Sequence, residues 1–371
     1  MKKKLLEKLK RIREVNPFSL SGFNYCYSRL LQELAYFTDS SFGRPTSAII
    51  LLTNRCNARC LHCHSWKLPP VEEMTTVEWK KTFHELRRWL GPVFISITGG
   101  ETLLKKDAIE IVEYAANLGF WVEFLTNGYL MDEDKAGRLA QSGVKRIKIS
   151  LDGSRSEIHD NIRGRKGFFE KATYALQTLA QKRDKWNKGL KVWAKTSIMS
   201  LNVEDLPNIV VLARDLQIDG VEFQALEPVY YSKQLGDPNW YKDNPLWITD
   251  LSALSFNIQK LKDLKERGYP VLNSFENLDL IENYFNDPDR LSFKVHSHDY
   301  EKKKNECRSW LGGLQIMPYG GIKMCHWMKP FANVRNRKIN NAWENRQRCR
   351  KDSSLCAYLN KDLREFNFEE G

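Results

Sequence analysis

Six repeats of a strand-like run followed by a helix-like segment, between residues 46 and 228, limit this chain of 371 residues to a few folds. Each repeat opens with a short apolar run and continues with apolar residues at helical spacing. The six runs span residues 47–53, 93–98, 120–125, 146–151, 191–198 and 220–226. Strands that alternate with helices pair in parallel through right-handed crossovers. The pattern therefore predicts an α/β fold, either a doubly wound sheet or a barrel.

Residues suited to chemistry follow the first four predicted strands. They are Cys56, Cys60 and Cys63 after the first strand, Gly99, Gly100 and Glu101 after the second, Asn127 after the third, and Ser150 at the fourth. In α/β barrels the carboxyl ends of the strands form the active-site face. This distribution predicts a single site surrounded by the loops that connect strands to helices.

The three cysteines have the spacing Cys-x3-Cys-x2-Cys. Thiolates select iron–sulfur clusters, zinc or copper(I). A [4Fe–4S] cluster is usually held by four thiolates, so three leave one iron open to a small chelating molecule. A zinc site completed by the adjacent His64 is the alternative at this point, because zinc takes four ligands.

Residues 53–63 resemble the signature loop of the radical S-adenosylmethionine (SAM) superfamily. Gly99-Gly100-Glu101 is similar to the methionine-binding motif of that family. Residues 150–153 and 159–164 resemble the branch that includes molybdenum-cofactor, quinone-cofactor and sulfatase-maturing enzymes. The resemblance implies a partial (β/α)6 barrel similar to a TIM barrel over residues 46–228, with a [4Fe–4S] cluster on the three cysteines that reductively cleaves SAM.

The resemblance also implies which residues contact SAM. Gly99, Gly100 and Glu101 would hold its ammonium, Ser150 the ribose, Arg163 the carboxylate and the His62 backbone the adenine edge, with Asn127 beside them and Ile198 and Leu226 packed on the adenine. Two further residues, Glu222 and Gln224, alternate along the sixth strand and should point to the same side, where one could act as a base or a substrate ligand.

A second group of cysteines follows the barrel. Cys307-x12-Gly320-x4-Cys325 resembles the opening half of the SPASM and twitch domains, and Cys349 and Cys356 come after it. These four thiols suffice for one auxiliary [4Fe–4S] cluster, with a zinc site as the alternative. Residues 307–371 are therefore predicted to form a small cysteine-rich module built on a β-hairpin. The remaining cysteine, Cys26, is expected to be an ordinary buried thiol.

The other two predicted regions are a basic amphipathic lead-in, residues 1–45, and a lid or helical connector, residues 229–306. The net charge of +12 comes from residues 1–14, with seven Lys or Arg against two Glu, and residues 329–351, with eight against one. The first segment either docks on the main domain or lies on a membrane or another anionic partner. Without a signal peptide or a long apolar run, we expect a cytoplasmic protein, with or without peripheral membrane association. Specific nucleic-acid binding is not expected.

The predicted activity is formation of a 5′-deoxyadenosyl radical that abstracts hydrogen from a metabolite such as a sugar, a lipid headgroup or a natural-product intermediate. An auxiliary cluster would suit a net oxidation, and flavodoxin or ferredoxin would supply the electron. One alternative is a maturase that modifies a peptide or protein. The non-enzymatic alternative is a zinc- or iron–sulfur-binding protein on a degenerate barrel.

Overall fold

The computed structural model describes residues 20–38, 40–187, 189–228, 239–288, 309–324 and 329–346. Six of its strands match the six predicted runs. They are β1 (Ser47–Leu51), β2 (Phe94–Thr98), β3 (Trp121–Thr126), β4 (Arg146–Ser150), β5 (Lys191–Ile198) and β6 (Gly220–Ala225). Each boundary lies within two residues of the predicted one, because apolar runs flanked by turns define strands locally.

Helices follow or separate these strands. In the described residues they are α1 (Leu20–Thr38), α2 (Thr76–Leu90), α3 (Ala108–Asn117), α4 (Glu133–Gln141), α5 (Ser156–Arg163), α6 (Phe168–Trp186), α7 (Leu206–Asp215), α8 (Leu251–Glu266), α9 (Phe275–Asn286), α10 (Ser309–Gly312) and α11 (Ile339–Glu344). The capping box that opens α2 is present, since Thr75 Oγ1 accepts a hydrogen bond from Glu78 N and Glu78 accepts one from Thr75 N. No helix among these residues has the length and apolarity needed to cross a bilayer.

Strands β1 to β6 pair in parallel and lie side by side in chain order. A doubly wound sheet reverses its strand order at a switch point, and this sheet has no reversal between β1 and β6. The architecture is a partial (β/α)6 barrel, as predicted. The loops after the strands therefore share one edge of the sheet.

The C-terminal strands extend the same sheet beyond β1. Strand β7 (Gly313–Ile316) pairs in parallel with β1, and β7 forms an antiparallel hairpin with β8 (Gly321–Lys323), which in turn pairs with β9 (Ala332–Asn333). The predicted hairpin is thus built onto the edge of the barrel. Cys307, Cys325, Cys349 and Cys356 lie outside the described residues, as does the predicted basic helix of residues 1–14.

The two faces of the sheet differ in chemistry. On β5, Val192 and Ala194 are fully buried under the helices, whereas Trp193 and Lys195 on the opposite face are only partly buried. We call this opposite face, which also carries Glu123, Lys148 and Glu222, the lumen. Because side chains alternate along a strand, Glu222 and Gln224 lie on the same, partly buried face, as predicted.

Candidate active site

The cysteine loop follows β1 directly. Cys60 is buried, Cys56 and Cys63 are partly buried, and all three pack around Ala58 and Phe168. Burial raises the pKa of the Cys56 thiol to about 12, and repulsion from the two neighbouring thiolates adds to this rise. Thiols in this environment become good ligands only when a metal centre compensates their charge.

The Gly-Gly-Glu segment after β2 holds the start of that loop in place. Gly100 N donates to Thr53 O and Glu101 N donates to Arg55 O, each at 2.8 Å. A Cβ atom on Gly100 would lie 2.4 Å from Arg55 O and 2.6 Å from Asn54 O. Only glycine allows the two backbones to approach so closely. The segment therefore positions the residues that lead to Cys56.

The Glu101 carboxylate joins the ends of β2 and β3. It is buried and accepts hydrogen bonds from Leu103 N at 3.0 Å, Thr126 Oγ1 at 2.6 Å and Asn127 N at 2.7 Å. Burial raises the pKa of this carboxyl above its ordinary value, against the effect of these three donors. Asn127 Nδ2 donates in turn to Asn57 Oδ1 at 2.7 Å, which connects the β3 end to the cysteine loop.

A buried ion pair lies beside Cys60. Arg163, the last residue of α5, contacts Asp152 Oδ2 at 2.5 Å through Nη2 and Cys60 Sγ at 3.6 Å through Nη1. Burial opposes ionisation of Asp152, but the neighbouring Arg163 charge keeps the pKa of its carboxyl below the ordinary value. Backbone bonds from Arg59 N to Arg163 O and from Leu61 N to Ile162 O fasten the end of α5 to the cysteine loop.

The remaining predicted SAM contacts lie at the same edge, in different settings. Ser150 ends β4 and is partly exposed, whereas Ile198 and Leu226 are buried at the ends of β5 and β6. Ile198 falls on the helix-covered face of β5, in alternation with Lys195. The His62 ring is enclosed near Arg163, and burial lowers its pKa to about 4, so the imidazole is neutral at pH 7.

Sequence reasoning missed a network of charges in the lumen. Glu123 accepts from Ser96 Oγ at 3.0 Å and pairs with Arg146 and with Lys148, the latter at 3.1 Å. Lys148 also contacts Glu222 Oε2 at 2.7 Å. The sequence did contain a signal for this network, because Arg146 and Lys148 lie two positions apart on β4 and therefore on one face of an otherwise largely apolar strand.

Aromatic rings complete this network at the amino end of the strands. The Arg146 guanidinium lies 4.1 Å from the Trp193 ring centroid and 4.8 Å from that of Trp121. Such stacking favours a partly desolvated cation. Cys26, in contrast to the expectation of a buried thiol, is exposed on α1, because the face that this helix buries carries Ser28, Gln32 and Ala35 instead.

The residues present fit a cluster with a polar ligand. Asn57 Nδ2, His62 Nδ1 and Arg163 Nε are buried without a hydrogen-bond partner, and all three belong to the cysteine loop or lie against it. Buried polar atoms are normally satisfied, so these donors and acceptors suit a bound molecule. Within the described ranges, no three His, Cys, Asp or Glu side chains converge as ligands of a single metal ion. Thiols that each bind a different iron need not converge on one ion.

A partial barrel with three thiols at the carboxyl end of its first strand defines an α/β enzyme that carries an iron–sulfur centre on its active-site face. The family model of the Radical SAM superfamily matches residues 50–213. This match identifies residues 50–213 as a radical SAM domain, and members of the superfamily use a [4Fe–4S] cluster and SAM. The prediction of a radical SAM enzyme is thereby confirmed, and the non-enzymatic alternative is set aside.

Three known proteins illustrate the similarity. The AdoMet-dependent heme synthase of Methanosarcina barkeri is 27% identical over 305 residues, which cover 81% of this chain and 82% of that protein. The PqqA peptide cyclase of Bradyrhizobium diazoefficiens is 28% identical over 202 residues, and the match spans about half of each protein, 52% and 49%. The structure of Streptococcus suis SuiB bound to S-adenosylmethionine aligns with a TM-score of 0.63 and 15% identity, over 100% of this chain and 79% of that one. This last likeness concerns the fold.

Proposed function

We propose that Cys56, Cys60 and Cys63 ligate three irons of the cluster and that SAM binds beside them, at the carboxyl ends of β2 to β6. The observation that carries this proposal is the convergence of the cysteine loop, Glu101 and Arg163 on one edge of the sheet. When bound, the cluster and SAM supply one-electron cleavage of the sulfonium and thus a 5′-deoxyadenosyl radical, which takes hydrogen from the substrate.

The chain's own residues hold and orient SAM in this proposal. Gly99 and Gly100 keep the loop close to β2, and Glu101 places a buried carboxylate where the SAM ammonium would bind. Arg163 is already paired with Asp152, so its unpartnered Nε is the donor left for the SAM carboxylate. His62, Asn127, Ser150 and Leu226 complete the proposed contacts around the adenosine, whereas Ile198 faces the helices on β5 and would support this edge from behind.

For the substrate, we propose hydrogen abstraction from a metabolite. The heme synthase relative supports this class, because its match extends over most of both proteins. A peptide substrate is the second candidate, which the PqqA peptide cyclase relative favours. The two substrate classes differ in the molecule that must enter the lumen. The residues proposed to hold SAM are the same for both.

The regions outside the barrel complete the proposal. Residues 1–45 form the lead-in, 229–306 the connector with α8 and α9, and 307–371 a module with an auxiliary [4Fe–4S] cluster on Cys307, Cys325, Cys349 and Cys356. The β7–β8 hairpin supports the module, because it lies between Cys307 and Cys325 in the sequence. The described residues 309–324 contain this hairpin, and β7 pairs with β1 at the edge of the barrel. We further propose flavodoxin or ferredoxin as electron donor and a cytoplasmic location, with the basic segments available to a membrane surface.

Anaerobic purification followed by iron and sulfide analysis tests the cluster content. About eight irons per chain support two [4Fe–4S] clusters, and about four support the SAM cluster alone. Reduction in the presence of SAM should yield 5′-deoxyadenosine. Alanine at Cys56, Cys60 or Cys63 should abolish this product, whereas Cys26→Ala, which removes an exposed thiol, should retain it. Product from any of the three loop variants at the wild-type rate would contradict the assignment.

A further inference from the structure

Among the described residues, the lumen face of β3 to β6 carries a cation, Lys195, that forms no ion pair with the carboxylates of the same face. The ionisable groups on its face of β3 to β6 include Glu123 and Glu222, and Arg146, Lys148 and Lys195. Arg146 and Lys148 pair with the two carboxylates. No ion pair within 4.0 Å joins the Lys195 ammonium to a carboxylate of the described residues.

Lys195 occupies the part of the lumen next to the proposed SAM site. Its Cα lies in register with Ser150, the last residue of β4, and with Glu222 on β6. Lys195 therefore lies on the lumen face close to the carboxyl ends of β4 and β5, where SAM is proposed to bind.

Burial of a cation is unfavourable unless an anion or several hydrogen bonds compensate it. The nearest carboxylate in register, Glu222, already directs Oε2 to Lys148. A partly buried lysine whose carboxylate in register, Glu222, is already paired with Lys148 thus offers one strong contact to a ligand that carries an oxyanion.

We propose that Lys195 binds an oxyanion of the substrate, a carboxylate or a phosphate, and so places the substrate beside SAM. This inference rests on the proposed function, since it assigns the substrate's charge in the same site. Lys195 is then a specificity-determining residue.

SAM also carries a carboxylate, so the test must separate the two sources of negative charge. Wild-type holoenzyme, Lys195→Met and the control Lys191→Met are reconstituted anaerobically and saturated with SAM. Lys191 lies on the same strand but is 52% exposed and pairs with Asp219 at 3.0 Å, away from the site. Each protein is titrated calorimetrically with glutarate, with inorganic phosphate and with glutaramide, the neutral diamide of glutarate.

We expect wild type and Lys191→Met to bind glutarate or phosphate more tightly than glutaramide. Lys195→Met should weaken oxyanion binding by about tenfold to a hundredfold, the usual loss for a hydrogen bond to a charged group. Lys195→Arg should restore it, since the arginine keeps the charge. A preference for glutarate over phosphate would identify a carboxylate, and the reverse preference a phosphate.

Three results would overturn the proposal: no preference of wild type for either oxyanion over the diamide, unchanged oxyanion binding by Lys195→Met, or an equal loss of SAM affinity in that variant. Cluster absorption of each variant establishes that it is folded and loaded. Failure of the proposed function is recognised separately, as absence of 5′-deoxyadenosine from reduced wild type with SAM.

Discussion

Substitution of Gly100 by alanine should disrupt the cysteine loop from a position that binds no iron. The new Cβ would lie 2.4 Å from Arg55 O and 2.6 Å from Asn54 O, and both atoms belong to backbone rather than to a flexible side chain. Restoring even a 3.0 Å contact requires the two backbones to separate by more than half an ångström. This movement lengthens the 2.8 Å bonds from Gly100 N to Thr53 O and from Glu101 N to Arg55 O.

The cost follows from these contacts. Two weakened backbone hydrogen bonds contribute about 1 kcal/mol each, and overpacking contributes about 1–3 kcal/mol. We expect Gly100→Ala to lower the free energy of unfolding by about 3–5 kcal/mol. Because residues 54 and 55 directly precede Cys56, we also expect a lower iron content per chain.

Urea denaturation followed by circular dichroism, together with iron analysis, measures both effects. Gly189→Ala is the matched control, because its Cβ would meet only the Asn187 side chain, at 3.3 Å. The control should change the free energy of unfolding by less than about 0.5 kcal/mol. If Gly100→Ala retained the stability and iron content of Gly189→Ala, the inferred packing of the Gly-Gly-Glu segment against the loop would be refuted.

Two further predictions concern ion pairs. Arg163→Met leaves Asp152 buried without its cation and should lower the free energy of unfolding by about 3–5 kcal/mol, a loss that the double variant with Asp152→Asn should largely reverse in urea denaturation. The hydrogen bond from Arg335, with the Thr75 cap, lowers the pKa of Glu78 from 4.5 to about 2, so its stabilising contribution is complete above pH 4.5 and is lost as the pH falls towards 2. The melting temperature should therefore fall more steeply between pH 4.5 and pH 2 in wild type than in Arg335→Ala. An equal fall in both proteins would argue against the pairing.

The order of strands and helices and the position of the cysteine loop were predictable because both depend on local pattern. An apolar run of five to eight residues followed by helical spacing specifies its element without distant contacts. Cys-x3-Cys-x2-Cys is likewise contained within eight residues, and it fell after β1 as expected. Glu222 and Gln224 were correctly placed on one face because strand alternation has a fixed period of two.

Contacts between distant segments were not predictable in this way. The exposure of Cys26 depends on which face α1 buries, and the burial of Ile198 on the helix-covered side depends on the phase of β5. The pairing of β7 with β1 depends on an edge strand that only the completed barrel presents. In each case, packing against residues that are distant in the sequence decides which face of a helix or strand is buried, or which edge of the sheet is paired.

The sequence by itself determined the class of this protein, a radical SAM enzyme on parallel strands, since short-range spacing encodes both the strands and the cluster loop. Only the tertiary structure decided that Gly100 packs against that loop, that Arg163 is shared between Asp152 and Cys60, and that Lys195 lies in register with a glutamate already paired with Lys148. These are properties of register and burial between residues far apart in the chain. They arise because low-dielectric packing makes each unpaired charge and each close backbone contact energetically significant.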